Sequence, residues 1–544
     1  MRCLLGVLLL GALAGCGSSE PAPAPIGVRA VVAQAQISPP PVDGGKAVER
    51  TLPPPEAAAD AVAAPPAIVQ PVRLQAGVHQ LFLDDARIAV RDQVISTLHR
   101  PRKFAGNPIL MPEPGLETDA LVYGTVLYDD ESKQFKMWYF TGRTGTKLAW
   151  ALAYATSADG VHWQKPDLDV IEDLGSPANF VMVHPQAENF GEPFSVIIDR
   201  RDPDPARRYK LVYRYLTPLP EMKALGTTTA VSPDGIHWTP FGRVQMPKIL
   251  DIGHFFYDEL QGKYAVYGRL WTERRKVQLS LSEDFASWSE PVQVADINPQ
   301  DPPGTQVYSM AVHVDGGQYV GLTQLYMRGT THLLEFELAA SRDGRSWTRV
   351  HQGETFLPCG GHGEWDRFNN SISCQPVRVG DELWFYYGGR TYRHSGYGGN
   401  DRGTEEAQSL RARVGRIGTG DETAAAPPPR GGMRSAIGLA KLRLDGYVSL
   451  GASYDGGSVT TVPVLPAGGR LHLNAAARWG QIVVEVLGAD GKPVPGGVSQ
   501  PVTGDATDLV VRWAEGTPSP LLTKQPVQLR FRIRNARLYA YWVD

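Results

Sequence analysis

Cysteine is scarce in this chain: four in 544 residues, at Cys3, Cys16, Cys359 and Cys374. No CxxC pair and no paired histidine spacing of the zinc type occurs, so a structural metal centre is not expected. Charge of one sign is lacking too. A formal net charge of -3 gives no reason to expect nucleic acid as a partner. Apolar patterns of helical period are almost absent, so the fold should be nearly all β. The apolar run from Leu4 to Leu13 is too short to cross a bilayer.

That run follows Arg2 and leads into Leu13-Ala14-Gly15-Cys16, the form of a bacterial lipobox. Residues 1–16 are therefore expected to be a lipoprotein signal, with Cys16 lipidated as the first mature residue. The expected location is exported and lipid-anchored, at the outer membrane, cell surface or periplasm, with the lipid as the only membrane contact. Cys359 and Cys374 would then share an oxidising compartment, where a disulfide or two buried thiols both fit the sequence. Residues 17–78 are rich in Pro and Ala with few aromatics (SPPPVDGG, LPPPEAAADAVAAPPA). Such a composition cannot bury enough apolar surface to fold, and it is read as a disordered tether.

What is present is repetition. Tyr123 to Trp163 reads as an apolar run, a turn, an aromatic run and a third run closing on Ser157-Ala-Asp159-Gly160-Val-His-Trp163. Asp-Gly between two strand-like runs is a strong hairpin signal, so the unit is an antiparallel meander. The closing motif returns at Ser232 to Trp238, Ser282 to Trp288 and Ser341 to Trp347. The aromatic second run recurs at Phe135 to Phe140, Tyr209 to Tyr215, Tyr264 to Leu270, Tyr319 to Met327 and Leu383 to Gly389. Meanders this short cannot each bury a core, and radial stacking is the usual solution. A five-bladed β-propeller over residues 79–450 is expected, with His79 to Ile88 closing the ring and Arg402 to Met433 as a loop insertion. Residues 451–544 read as a C-terminal β-sandwich, with Trp479, Trp513, Tyr539, Tyr541 and Trp542 in its core; a carbohydrate-binding module is the functional alternative.

In a propeller the first strand of each blade lines the axis. Acids recur just before or within these strands: Glu117 and Asp119, Glu188 and Glu192, Asp251, Asp301, and Glu364 with Asp366. Converging carboxylates are what glycosidic cleavage needs, because one protonates the departing oxygen while another stabilises or attacks the oxocarbenium-like centre. Asp251 and Asp366 lead this set as catalytic candidates, with Glu192 and Asp119 next. Arg143, Arg214, Arg269, Arg328 and Arg390 end or follow second strands, where guanidinium groups could bind an acidic sugar. His254, His362 and His394 are further candidates, as are Trp150, Trp271, Trp365 and Tyr392 for stacking on sugar rings. Each of these also has an ordinary structural reading.

The LFLDD start, NPIL at Asn107 to Leu110, YGTVLYD, FKMWY, PDPARRYK at Pro203 to Lys210, FFYDELQGKYAVYGR, GEWD at Gly363 to Asp366, GDELWFYYGGR and GLAKLRLDGYVSL together resemble a bacterial lipoprotein group. That group is similar to the family 32-like and family 43-like glycoside hydrolases, the related five-bladed enzymes of invertase, arabinanase and levansucrase type. The resemblance implies the five-bladed fold and a hydrolase acting on oligo- or polysaccharide through paired carboxylates; a surface lipoprotein that binds glycan without cutting it is the alternative. It implies no cofactor, leaves a structural calcium open, and suggests a monomer. The chain departs from family 32 in lacking its nucleophile and acid motifs. Its Arg201-Asp202-Pro203 falls in a turn between strands, as a surface hairpin would.

Overall fold

The computed structural model describes residues 70–142, 151–168, 170–171, 179–182, 190–215, 226–246, 249, 253–271, 274–328, 330–391, 393–394, 435–514 and 519–544. The expected signal, Cys16 and residues 402–433 lie outside them. The described chain is all-β, and its one helical element is a 3-10 turn at Pro205–Arg207.

Three four-stranded antiparallel sheets follow one another in sequence order. The first comprises Leu121–Asp129, Gln134–Thr141, Ala151–Ser157 and Phe180–Met182; the second Phe190–Ile198, Tyr209–Tyr215, Gly226–Ser232 and Thr239–Met246. The third comprises Gly253–Asp258, Lys263–Trp271, Arg275–Ser282 and Val292–Ala295. The first and second strands of each are joined by a turn that begins at a buried aspartate, and each aspartate grips the next meander. Asp129 takes Lys136 at 2.8 Å and Arg200 of the second meander at 2.8 Å. Asp199 pairs with Lys210 at 3.0 Å and accepts from Tyr264 of the third. Asp258 accepts from Tyr319 of the fourth at 2.7 Å.

The closing motif supplies the reverse latch. Ser157 Oγ donates to Asp159 at 3.0 Å and accepts from Gly160 N at 2.9 Å. Gly235 has φ +81°, and a Cβ there would lie 2.6 Å from Trp138, so both backbone conformation and space require glycine. The freed carbonyls accept from the preceding meander: Trp138 Nε1 donates to Gly235 O at 2.7 Å, and Tyr267 OH donates to Gly344 O at 2.7 Å. Tyr386 OH donates to Gly160 O at 2.9 Å, which ties the fifth meander to the first. The repeats are thus structural.

The fourth and fifth meanders share one hydrogen-bonded sheet through a parallel bridge, Leu334 to Asn369. The fourth is Thr305–Asp315, Gln318–Met327 and Leu334–Ser341, edged by Thr348–Arg349 and Thr355–Leu357. The fifth is Asn369–Ile372, Glu382–Arg390 and Ser435–Arg443. Its outer strand is Arg102–Lys103, from ahead of the first meander. The outlying strand expected at His79 to Ile88 is therefore supplied by a later segment. Gln80–Leu81 pairs instead with Ala536–Val543, and Ile88–Asp92 with Gly457–Thr461. The expected tether also ends earlier than residue 78, since Val72–Leu74 pairs in parallel with Val464–Pro466. The inner strands of the first four meanders touch in sequence order, the fifth's touches the first's, and Leu334–Ser341 of the fourth touches Asn369–Ile372 of the fifth.

The expected sandwich is a single curled sheet by its hydrogen bonds. Its organiser is one long strand, Leu471–Leu487, although the sequence there reads as two short alternating runs, Arg470 to Leu473 and Ile482 to Leu487. The first half pairs with Ala536–Val543 and the second with Gln528–Arg534, so the bend near Trp479 and Gly480 turns one sheet into two facing halves. Leu473, Val484, Phe531 and Leu538 fill the space between. Tyr539, Tyr541 and Trp542 are buried as expected, but Trp479 is 83% exposed. Cys359 and Cys374 are both free thiols. Cys374 Sγ donates to Phe255 O at 3.2 Å and Cys359 Sγ to Leu334 O at 3.4 Å, so the disulfide alternative is corrected. Burial pushes the Cys374 thiol up to about 12 and raises that of Cys359 well above the ordinary thiol value, which keeps both protonated and inert.

Candidate active site at the inner strand ends

In an antiparallel meander the start of strand one, the end of strand two and the start of strand three are hydrogen-bonded neighbours. Leu121, Phe140 and Leu152 meet this way in the first meander, and Asn369, Arg390 and Ser435 in the fifth. Ser435 also crosses to the first meander, accepting from Ala120 N at 3.0 Å and donating to Asp119 at 3.1 Å. Asp119 is thereby held, buried, between the first and last repeats. No cation among the described residues lies within ion-pair distance of it.

The neighbouring candidates are neutralised. Glu117 takes the Lys165 ammonium, the Tyr139 hydroxyl and Glu113 N, the last at 2.7 Å. Asp366, only 2% exposed, pairs with Lys103 at 2.6 Å and accepts from Tyr387 OH at 2.9 Å. Trp365 stacks on the same Tyr387 ring at 5.5 Å rather than offering a free face. Asp301 pairs with Arg349. Glu192 lies in the strand Phe190–Ile198, with its side chain outside the described set; Asp251, Arg143, Glu188, Trp150 and Tyr392 are outside it altogether. Glu192 and Asp251 stand at the same sequence spacing ahead of the turn aspartates Asp199 and Asp258.

Cations and aromatics gather between the third and fifth meanders. Arg269, buried at the end of the third meander's second strand, lies 4.1 Å over the Tyr308 ring. Arg275, opening the next strand, lies 5.3 Å from Tyr308 and 5.4 Å from Tyr326, and donates to Gln306 at 2.7 Å. Burial, then the Arg269 charge, lowers its guanidinium to about 10. His394 sits edge-on to both tyrosines, at 5.0 and 4.9 Å. Burial first, then Arg275, Arg390 and Arg269, push it down to about 2, so it is neutral near pH 7. His254 is likewise neutral, pushed by burial to about 3. His362 is exposed on the loop before the fifth meander, and Arg214 lies in the second meander's strand Tyr209–Tyr215, away from these contacts.

The sequence reading found Arg269, Arg390 and His394 here but missed Arg275, Tyr308, Tyr326 and Ser435. It searched second-strand ends; three of the four missed residues open a first or third strand, where the register brings them alongside. Chemically, fixed guanidinium groups and tyrosine rings can hold hydroxyl or carboxylate groups, and a buried carboxylate without a cation can accept or deliver a proton.

No protein-family model matches the chain, and no curated protein matches it by sequence. Solved structures give distant likenesses. A glycosyl hydrolase from Bacteroides ovatus has a TM-score of 0.42 at 14% identity, with 64% of this chain and 94% of that one covered. An N-acetylgalactosamine deacetylase from F. plautii, in complex with blood group B trisaccharide, has 0.38 at 15%, with 62% and 97% covered. A thermostable family-43 glycoside hydrolase has 0.35 at 15%, with 53% and 87% covered. Similarity of this degree carries neither activity nor substrate across.

Proposed function

We propose that the five meanders close into a five-bladed propeller and that its inner mouth hydrolyses a glycosidic bond in an oligo- or polysaccharide. The protein is exported and held to a membrane through lipid on Cys16. The observation that carries this reading is the state of Asp119: buried at the amino end of an inner strand, held by one hydroxyl, and unlike Glu117 and Asp366 not spent on an ion pair. Glu192 and Asp251, at the same sequence spacing ahead of Asp199 and Asp258, complete a carboxylate set. One member protonates the departing oxygen while another stabilises or attacks the anomeric carbon. Arg269, Arg275 and Tyr308 hold the sugar, and Asp366 with Lys103 and Tyr387 shapes the wall.

Binding without cleavage is the second reading, favoured by the ion pairs that already neutralise Glu117 and Asp366. Release of reducing ends from a panel of polysaccharides separates the two. Hydrolysis predicts product from the wild type and a loss of about 100-fold or more in kcat for Asp119→Asn. Unchanged turnover in that variant would remove Asp119 from the mechanism; retention of a glycan with no product would leave binding.

A further inference from the structure

Away from the ring, the curled carboxyl-terminal sheet leaves one face open as a groove of about 1260 Å³. Strand alternation makes the face. Ile482, Val484 and Val486 point into the core, while Gln481, Val483 and Glu485 line the groove. On the neighbouring strand Leu529, Phe531 and Ile533 are buried, while Gln528, Arg530, Arg532 and Arg534 line it.

This face is organised. Glu485 accepts from Arg530 at 3.2 Å and from Arg532 at 3.3 Å, which fixes both guanidinium groups across the floor. At one end the Tyr454 ring stands in water, 70% exposed, and Trp479, 83% exposed, precedes the lining residue Gln481 on the strand Leu471–Leu487. Consecutive residues hold both. Arg534 donates to Tyr454 O at 2.9 Å and lies 4.1 Å over its ring, while Asn535 donates to Trp479 O at 2.8 Å. An exposed aromatic ring at the edge of a polar groove is a recognition feature, with an apolar face for stacking beside hydrogen-bonding groups.

Charge decides the ligand. Arg91, Arg530, Arg532 and Arg534 face Asp92, Asp455 and Glu485 around the groove, so the face is nearly balanced and carries no field to attract a polyanion. It offers donors and acceptors side by side, which matches hydroxyl groups, each able to donate and accept. We infer that this groove is a second carbohydrate site, binding an extended neutral polysaccharide with Tyr454 and Trp479 as stacking platforms. It needs no residue of the ring mouth, so it stands or falls separately from hydrolysis there.

The test is affinity electrophoresis of the full chain in mild detergent, through gels containing glucomannan, galactan or, as the acidic arm, polygalacturonate. Retardation is expected in at least one neutral gel. Tyr454→Ala with Trp479→Ala should weaken it by about tenfold or more, as should Arg532→Ala alone to a lesser degree. No retardation in either neutral gel, retardation by polygalacturonate alone, or a double variant retarded like the wild type would each overturn the inference. Retardation lost in Asp119→Asn but kept in the sheet variants would do so too, by placing binding at the ring mouth.

Discussion

Asp315 gives the most quantitative handle on the fold. It ends the first strand of the fourth meander, half-buried at the junction with the carboxyl-terminal sheet, beside Asp445 and 3.1 Å from Tyr447 OH. A cavity of about 350 Å³ there is also lined by His79, His313 and Arg378. Burial first, then the Asp445 charge, raises the Asp315 carboxyl from 3.8 to about 6. A carboxyl whose folded pKa exceeds its unfolded value binds more protons when folded. Its contribution to stability is therefore complete below pH 3.8 and is lost as pH rises through 6. Roughly two pKa units correspond to about 3 kcal/mol of destabilisation at about pH 7.5, and to about half of that at about pH 5. Asp315→Asn keeps an acceptor for Tyr447 and removes the charge. Relative to the wild type it should gain about 1.5 kcal/mol more at about pH 7.5 than at about pH 5, whatever constant cost the amide adds. His313, 2.9 Å from Tyr447 and pushed by burial to about 3, destabilises both proteins alike toward acid and cancels. Urea unfolding followed by tryptophan fluorescence at the two pH values reads the difference. An equal effect at both, or a larger gain at the lower pH, would refute the reasoning.

Other perturbations probe the latches. Lys103→Ala strands the Asp366 carboxylate in the fifth meander and should cost about 3–5 kcal/mol, while adding Asp366→Asn should recover most of it; thermal unfolding of the three proteins measures this, and additive losses would show that the pair is not coupled. Gly235→Ala forces a side chain into left-handed backbone against Trp138 and should cost more than about 1 kcal/mol by the same measurement; an unchanged midpoint would contradict the latch. Cys359 and Cys374 should react with Ellman's reagent only after unfolding, and reductant should leave the unfolding midpoint where it is; a lowered midpoint would show a bond between them.

Much of the fold was legible because local chemistry repeats. Asp-Gly turns, aromatic second strands and the Ser-x-Asp-Gly-x-x-Trp motif gave all five meanders, and their latches use those same residues. Pairings between distant segments were not legible. Nothing local marks Arg102–Lys103 as the outer strand of a meander whose other strands lie beyond residue 368, or sends Gln80–Leu81 to the last strand. The bend in Leu471–Leu487 was hidden because each half reads as a strand of its own, and Trp479 looked like core because its exposure follows from that bend. At the site, the acids ahead of inner strands could be listed from sequence. Their ion pairs could not, because Lys103 and Lys165 reach Asp366 and Glu117 from segments far along the chain.

The account rests most heavily on inner-strand carboxylates doing chemistry that the ion-paired ones do not. The direct measurement is kcat/KM for reducing-end release in Asp251→Asn and Glu192→Gln beside Asp366→Asn, on whichever polysaccharide the wild type cleaves. The first two are predicted to fall by about 100-fold or more, and the third by less than about tenfold with a lower unfolding midpoint. A profound loss in Asp366→Asn with Asp251→Asn and Glu192→Gln near wild type would contradict it.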